Sequence, residues 1–175
     1  KVINCSWGEE SYSRVLQDLI TNVVETFDCA IVAGGGNPPG FGTYYPAGYR
    51  HVLGVGAVGG NDVYETTTGP HIGVSAPGGF STGENNTYGE VGVATSFSAP
   101  NATGALALVR SRYPMLSADQ AIAHLRLTAE NINNKNPDKV GLMGTGRINI
   151  LRALTDDPFS RPGIVLDSIF LTDLN

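Results

Sequence analysis

The sequence predicts an α/β fold in which a parallel sheet is flanked by helices. Two observations carry that class. Val2-Ile3-Asn4-Cys5-Ser6 and Cys29-Ala30-Ile31-Val32-Ala33 are short apolar runs separated by a helical pattern, and a strand, helix, strand order of this length is a parallel crossover rather than a hairpin. Further apolar runs at Val52–Val58 and Ile72–Ala76 extend the sheet.

Each element has its own local reason. Between the first two strands, Tyr12, Val15, Leu16, Leu19, Ile20, Val23, Val24 and Phe27 recur at i, i+3, i+4 and i+7, which makes one apolar stripe on a polar cylinder. The first strand reads as buried and ends at Gly8. Gly34 to Tyr45 is a Gly/Pro-rich loop, and Gly59-Gly60-Asn61-Asp62 is a turn. Residues 79–92 are polar and Gly-rich, as in a surface hairpin or loop. Phe97 to Arg112 has the small, apolar pattern of a buried helix closed by Pro114. Ser117-x-x-Gln120 is a capping box that starts a helix running to about Thr128. Gly163 to Leu171 is apolar and β-branched enough for a final strand. The expected division is residues 1–154 as one body and 155–175 as a C-terminal extension holding that strand. About three parallel strands are visible, the first beginning at residue 2, so the sheet is expected to be incomplete.

Composition excludes several function classes. With 11 Lys+Arg against 16 Asp+Glu the formal net charge is −5, and no basic cluster offers the footprint that nucleic acid needs. No apolar run approaches the ~18 residues of a membrane span. Glycine makes up about 13 per cent of the chain (23 of 175), against a usual ~7 per cent, so tight turns and close backbone approaches are expected. Cys5 and Cys29 are too few for a zinc site or a disulfide framework. They sit at opposite ends of neighbouring strands, and a ~3.3 Å rise per residue carries them beyond the ~7 Å limit for bridging, so both are expected to be free thiols.

Three punctuation marks point to chemistry: Gly36-Asn37 after a strand, Val74-Ser75-Ala76-Pro77-Gly78 closing another, and Ala94-Thr95-Ser96-Phe97-Ser98-Ala99-Pro100 opening a helix. With VINCSWG, VAGGGN, YPAGYRHVLGVGAV, GVSAPG and GTGRINILRAL in this order, the chain from residue 1 to about 154 resembles the C-terminal half of a subtilisin-like serine protease, without that fold's N-terminal strands. The resemblance makes Ser96 the nucleophile, at a helix N-terminus whose free N–H groups favour developing negative charge. Its bland alternative is a helix cap. Pro100 fits a first turn, which has no N–H bond to lose. Asn37 becomes the side-chain donor of an oxyanion hole, or else a turn residue before two prolines. Ser6, Trp7 and Gly8 with Gly34, Gly35 and Gly36 would form the walls of a cleft that takes an extended peptide, the glycines leaving room for a bulky substrate side chain. Trp7 either shapes a subsite or is a largely buried aromatic.

The departures matter. Ala94 stands for the motif's Gly, Ser98 for its Ala, Ala99 for its Ser and Asn101 for its His, and the family's Asp-Thr/Ser-Gly and His-Gly-Thr-His segments are absent. His51, His71 and His124 match none of them and read as surface or core-edge residues. A serine hydroxyl needs a base near neutral pH, so this chain alone is expected to be inactive and to need the Asp/His-bearing N-terminal portion of the protease as a partner. The opposing reading is a non-catalytic remnant whose groove binds peptides or a partner protein. The resemblance also implies a secreted or periplasmic site of action and no cofactor beyond a weak calcium or monovalent ion on carbonyls around Ala47, Tyr49 and Val52. A dinucleotide fingerprint fails because Pro39 stands where the third Gly belongs, and no P-loop is present. Of the sequons at Asn4, Asn85 and Asn101, the first and third fall in expected core elements, leaving only Asn85 exposed.

Overall fold

The computed structural model describes residues 1–40, 42–82, 85, 87–90 and 92–160. A four-stranded parallel sheet runs in the order β1 (Val2–Cys5), β2 (Ala30–Gly34), β3 (Val52–Val58), β4 (Val74–Pro77). Val74–Pro77 is the strand read at Ile72–Ala76, so the parallel sheet has four strands where about three were counted from sequence. A separate two-stranded antiparallel ribbon pairs β5 (Phe80–Thr82) with β6 (Tyr88–Glu90), the hairpin read from residues 79–92. The expected strand at Gly163–Leu171 lies outside the described residues.

Helix α1 (Arg14–Phe27) begins at Ser13, whose side chain accepts from Leu16 N, and ends at Asp28, which adopts the left-handed conformation at φ 48°. Its apolar stripe is split. Ile20 and Val24 are buried, whereas Val15, Leu19 and Phe27 stand exposed at 80, 55 and 61 per cent. The first strand is corrected as well: Ile3 and Asn4 of β1 are exposed, β1 being the edge of the four-stranded sheet. Central strands β2 and β3 are buried along almost their whole length, as parallel strands covered on both faces must be.

Helix α2 (Thr95–Arg112) is the spine of the fold and packs against all four parallel strands. Ala99, Ala102, Ala105, Leu106 and Val109 are its buried residues against the sheet, and the alanines allow the close approach. Helix α3 (Ala118–Leu127) carries the capping box at Ser117 and Gln120, and the short α4 (Ile150–Thr155) is capped by Asn149. His124 is fully buried, not at the surface or the core edge: its Nε2 lies 2.9 Å from Ala153 O and its ring meets Tyr113 edge-on. Asn4 and Asn101 are both exposed, Asn4 on the edge strand and Asn101 on the outer side of α2, so neither is excluded from solvent as the sequence implied. Cys5 and Cys29 are free thiols, with Cys5 opposite Ala33 in the β1–β2 register.

Candidate active site

Chain segments leaving the carboxyl ends of β1 and β2 meet the start of α2, the usual place for a ligand crevice in an open α/β sheet. The resulting cleft is lined by Ser6, Trp7, Gly8, Gly34, Gly36, Asn37, Tyr44, Thr95 and Ser96 and encloses about 240 Å³. Of the residues singled out from sequence, only Gly35 is missing from that lining. Its N–H bonds Val55 O at 2.9 Å, and a Cβ placed on it would run into Ile72. Trp7 stands 56 per cent exposed at the rim, which removes the buried-aromatic reading.

The loop after β2 is held against α2 by interlocking bonds. Gly36 N donates to Thr95 Oγ1 at 3.3 Å, Thr67 N donates to Gly36 O, and His71 Nε2 lies 2.9 Å from Gly35 O. A Cβ on Gly34 would press on Thr95, 3.0 Å from Oγ1, and Gly36 has φ +103°, which glycine adopts freely. Asn37 Oδ1 accepts from Thr95 N at 2.8 Å. With its oxygen committed, the Asn37 amide presents its Nδ2 hydrogens as the free end.

Ser96 is the second residue of α2 and does not cap it. The cap position is Ala94, which supplies no side-chain bond. Instead the Ser96 hydroxyl donates to Ser6 O at 3.2 Å, and the Ser6 hydroxyl donates to Ser96 O at 2.9 Å. The second bond explains a misread proline. Because α2 begins at Thr95, Pro100 is its sixth residue rather than part of a first turn, and its missing N–H is the one that would have served the carbonyl four residues back. That carbonyl belongs to Ser96, and the Ser6 hydroxyl takes the vacant place. Among the described residues Ser96 N has no hydrogen-bond partner, so one unsatisfied helix N–H lies beside the Asn37 amide and the Ser96 hydroxyl.

No charged side chain lines the cleft among the described residues, and no histidine does. His51 is taken up by Asp119, 2.8 Å from Nδ1. Burial pushes the Cys5 thiol up, which keeps this neighbour of Ser6 protonated and unreactive near neutral pH. Sequence reasoning does not single out Thr95 or Tyr44. Thr95 sits inside the motif that marks Ser96. For Tyr44 the sole signal is a pair of adjacent tyrosines in a loop otherwise made of Gly, Pro, Thr, Asn37 and Phe41.

A serine hydroxyl, a helix N–H without a partner among the described residues and a side-chain amide lie together at the carboxyl end of a parallel sheet, two donors placed to hold negative charge beside a hydroxyl. The subtilase family model matches residues 1–146, and the chain belongs to that family. It is 35% identical over 157 residues to subtilisin DY of Bacillus licheniformis, covering 85% of this chain and 55% of that protein. To a thermostable alkaline protease of Halalkalibacterium halodurans it is 35% identical over 150 residues, covering 83% and 41%. Among solved structures, MycP1 with its N-terminal propeptide removed superposes with a TM-score of 0.76 at 27% identity, covering 93% of this chain and 62% of that one. A protease of Pseudoalteromonas arctica gives 0.73 at 26% identity, covering 87% and 50%. The chain thus spans about half the length of the curated relatives it matches.

Proposed function

We propose that the cleft is the nucleophile and oxyanion half of a serine endopeptidase acting on peptides or proteins by acyl-enzyme chemistry. The observation that carries the reading is that Ser96 and Asn37 line one cleft, with Ser96 N–H unpaired among the described residues and Asn37 Oδ1 committed to Thr95 N. An extended substrate lies along Ser6-Trp7-Gly8 and Gly34–Gly36 and offers its carbonyl carbon to Ser96 Oγ. As the C–O bond forms, the hydroxyl proton passes to a base, and the carbonyl oxygen becomes an oxyanion that accepts from Ser96 N–H and Asn37 Nδ2–H. Collapse expels the amine with a proton from the same base, and water then releases the acyl group from Ser96. The base comes from outside this chain, since the three histidines are engaged elsewhere: His51 with Asp119, His71 with Gly35 O and His124 with Ala153 O.

A secreted setting is part of the proposal. It rests on relatives such as the Natrialba magadii protease, whose name describes it as extracellular. No described helix is long and apolar enough to cross a membrane. The carbonyls around Ala47, Tyr49 and Val52 fit at most a weakly held cation. They are neutral donors, Tyr49 O already accepts from Val52 N at 3.3 Å, and no cluster of three or more His, Cys, Asp or Glu occurs among the described residues. No step of the chemistry passes through that position.

Peptide cleavage by the chain alone and by the chain joined to an Asp/His-bearing subtilase portion tests the reading. The chain alone should hydrolyse negligibly, because loss of the histidine base costs on the order of 10⁶ in turnover, a magnitude that belongs to subtilisin itself. The completed protein should cleave, and Ser96→Ala should abolish cleavage. Ser96-dependent hydrolysis by the chain alone, or cleavage that survives Ser96→Ala, overturns the assignment.

A further inference from the structure

Asn37 follows two glycines, Gly35 and Gly36, whose backbone no side chain of their own confines, so the aim of its amide is set by bonds from outside the loop. Thr95 Oγ1 holds the Gly36 N–H, and Thr67 N holds the Gly36 carbonyl. Gly35 is held on three sides. Its N–H bonds Val55 O, the end of the Ile72 side chain lies where a Cβ would stand, and its carbonyl faces His71 Nε2 at 2.9 Å.

His71 is itself anchored on the sheet. Its carbonyl packs on Gly54 of β3, where a Cβ would strike it, and two residues on, Gly73 N donates to Gly54 O at 2.8 Å. The ring uses space left by Gly69, where a Cβ would lie 2.7 Å from Nδ1. A carbonyl only accepts, so Nε2 carries the proton in the bond to Gly35. Nδ1 is buried without a hydrogen-bond partner among the described residues, which leaves Nε2 as the nitrogen through which the ring acts.

We propose that His71 is a positioning residue for the oxyanion donor: its Nε2–H fixes the Gly35 carbonyl and, through it, the aim of the Asn37 amide. The proposal rests on the peptidase reading and deepens it, naming a group outside the cleft lining on which the same reaction depends. A donor stabilises charge that appears in the transition state only where it already stands in place. A misplacement of about 1 Å, caused by a change remote from the chemistry, costs about 10² in rate. With the Gly35 carbonyl released, the peptide planes of Gly35 and Gly36 can turn, and Asn37 turns with them. Ground-state binding draws on both cleft walls and little on the Asn37 amide, so the loss falls on kcat more than on KM.

The test compares His71→Gln and His71→Asn in the completed protease, the chain joined to an Asp/His-bearing subtilase portion. A Gln amide reaches the place of Nε2 and keeps a donor there, whereas the shorter Asn amide stops at the place of Nδ1. His71→Asn should lower kcat at least ~10-fold with KM little changed, and His71→Gln should keep most of the activity. In an Asn37→Ala background His71→Asn should cost nothing further, because the amide it positions is gone, a coupling that a general loss of stability does not produce. An undiminished kcat in His71→Asn, a His71→Gln protein no better than His71→Asn, or an equal cost with and without Asn37 overturns the proposal. In the 175-residue chain itself, nitrogen-15 spectra should show the His71 proton on Nε2. A proton on Nδ1 alone overturns the proposal, and this measurement decides even if His71→Asn does not fold. An unaltered completed protease that cleaves nothing sinks the peptidase reading and the proposal together, whereas an active one indifferent to His71→Asn sinks the proposal alone.

Discussion

Helices α2 and α3 begin in opposite ways. At the start of α3 side chains cap the donors of Ser117, Ala118 and Gln120: Ser117 Oγ accepts from Gln120 N, Gln120 Oε1 accepts from Ser117 N, and Asp28 Oδ1 accepts from Ala118 N. Asp119 adds an acidic residue to the first turn, where the helix dipole favours it. Asp28 is held ready by Arg110, whose guanidinium keeps its carboxyl below the usual carboxylate range. The start of α2 has no side-chain cap and no acidic residue in its first turn. What serves it comes from other segments, Asn37 for Thr95 N and Ser6 for Ser96 O; among the described residues Ser96 N, like Asp119 N at the second position of α3, has no hydrogen-bond partner. A helix start without a side-chain cap forgoes about 0.5–2 kcal/mol, and at α2 the Ser96 N–H faces a cleft where it can bind charge appearing during a reaction.

Asn37→Ala offers the largest test of this contrast. In the completed protease it should lower turnover by about 10²–10³, the cost of one oxyanion donor in subtilisin, the relative on which that magnitude was established. It also strips the acceptor from Thr95 N, so the melting temperature should fall as well. Ser117→Ala should do only the second of these: about 1 kcal/mol lost, or roughly 2–4 °C in a domain of this size, with kcat/KM unchanged. If Ser117→Ala altered turnover, or Asn37→Ala altered only stability, the two helix starts would not divide function from stability as described.

A smaller effect sharpens the account of Pro100. Ser6→Ala removes the hydroxyl that donates to Ser96 O and should cost about 1 kcal/mol. In a Pro100→Ala background the restored N–H can serve the same carbonyl, so Ser6→Ala should then cost close to nothing. Equal costs in the two backgrounds, measured by denaturant unfolding, would mean that the Ser6 hydroxyl is not standing in for the missing proline donor.

The contrast also marks what the sequence could disclose. The start of α3 is legible because all of its capping box lies within four residues, Ser117 to Gln120, and the crossover β1–α1–β2 is legible from periodicity alone. The motif around Ser96 points to the proposed nucleophile. The groups that complete its site are not legible as contacts: Asn37 and Thr95 are 58 residues apart and Ser6 and Ser96 are 90 apart, and no local pattern reports such pairings. Pro100 is misplaced by sequence because the apolar pattern of α2 starts at Phe97, whereas its bonds start at Thr95, sustained from outside. The stripe on α1 shows which residues share a face but not how much of that face is covered, and Val15 and Leu19 remain exposed. Tyr44 is hidden as well: no local pattern reports that this loop residue lines the cleft beside Gly36 and Gly8.

The smallest expected effect concerns the pH dependence of the α3 end. His51 links its Nδ1 to Asp119 Oδ2 at 2.8 Å in the first turn of α3, and its Nε2 lies 3.7 Å from Glu25 of α1. The hydrogen bond to Asp119 is the main cause that raises the His51 pKa; burial opposes it, the Asp119 charge supports it, and Arg50 and Glu25 pull in opposite directions. A group whose pKa is raised on folding binds its proton more tightly in the native state, so its contribution is fully present below the unfolded value of about 6.5 and is lost as pH rises through the higher folded value. Glu25 is largely exposed, so salt should weaken its share first. His51 has φ 66°, which Asn tolerates better than most residues, so His51→Asn removes the charge with little added strain. Unfolding measured for both proteins should show the unaltered chain ahead at about pH 5 and the gap narrowing by about pH 9, as the imidazolium deprotonates. A gap that stays constant or widens with pH would mean that the ion pair to Asp119 does not reinforce this helix start, and that its stability rests on the capping box and Asp28 alone.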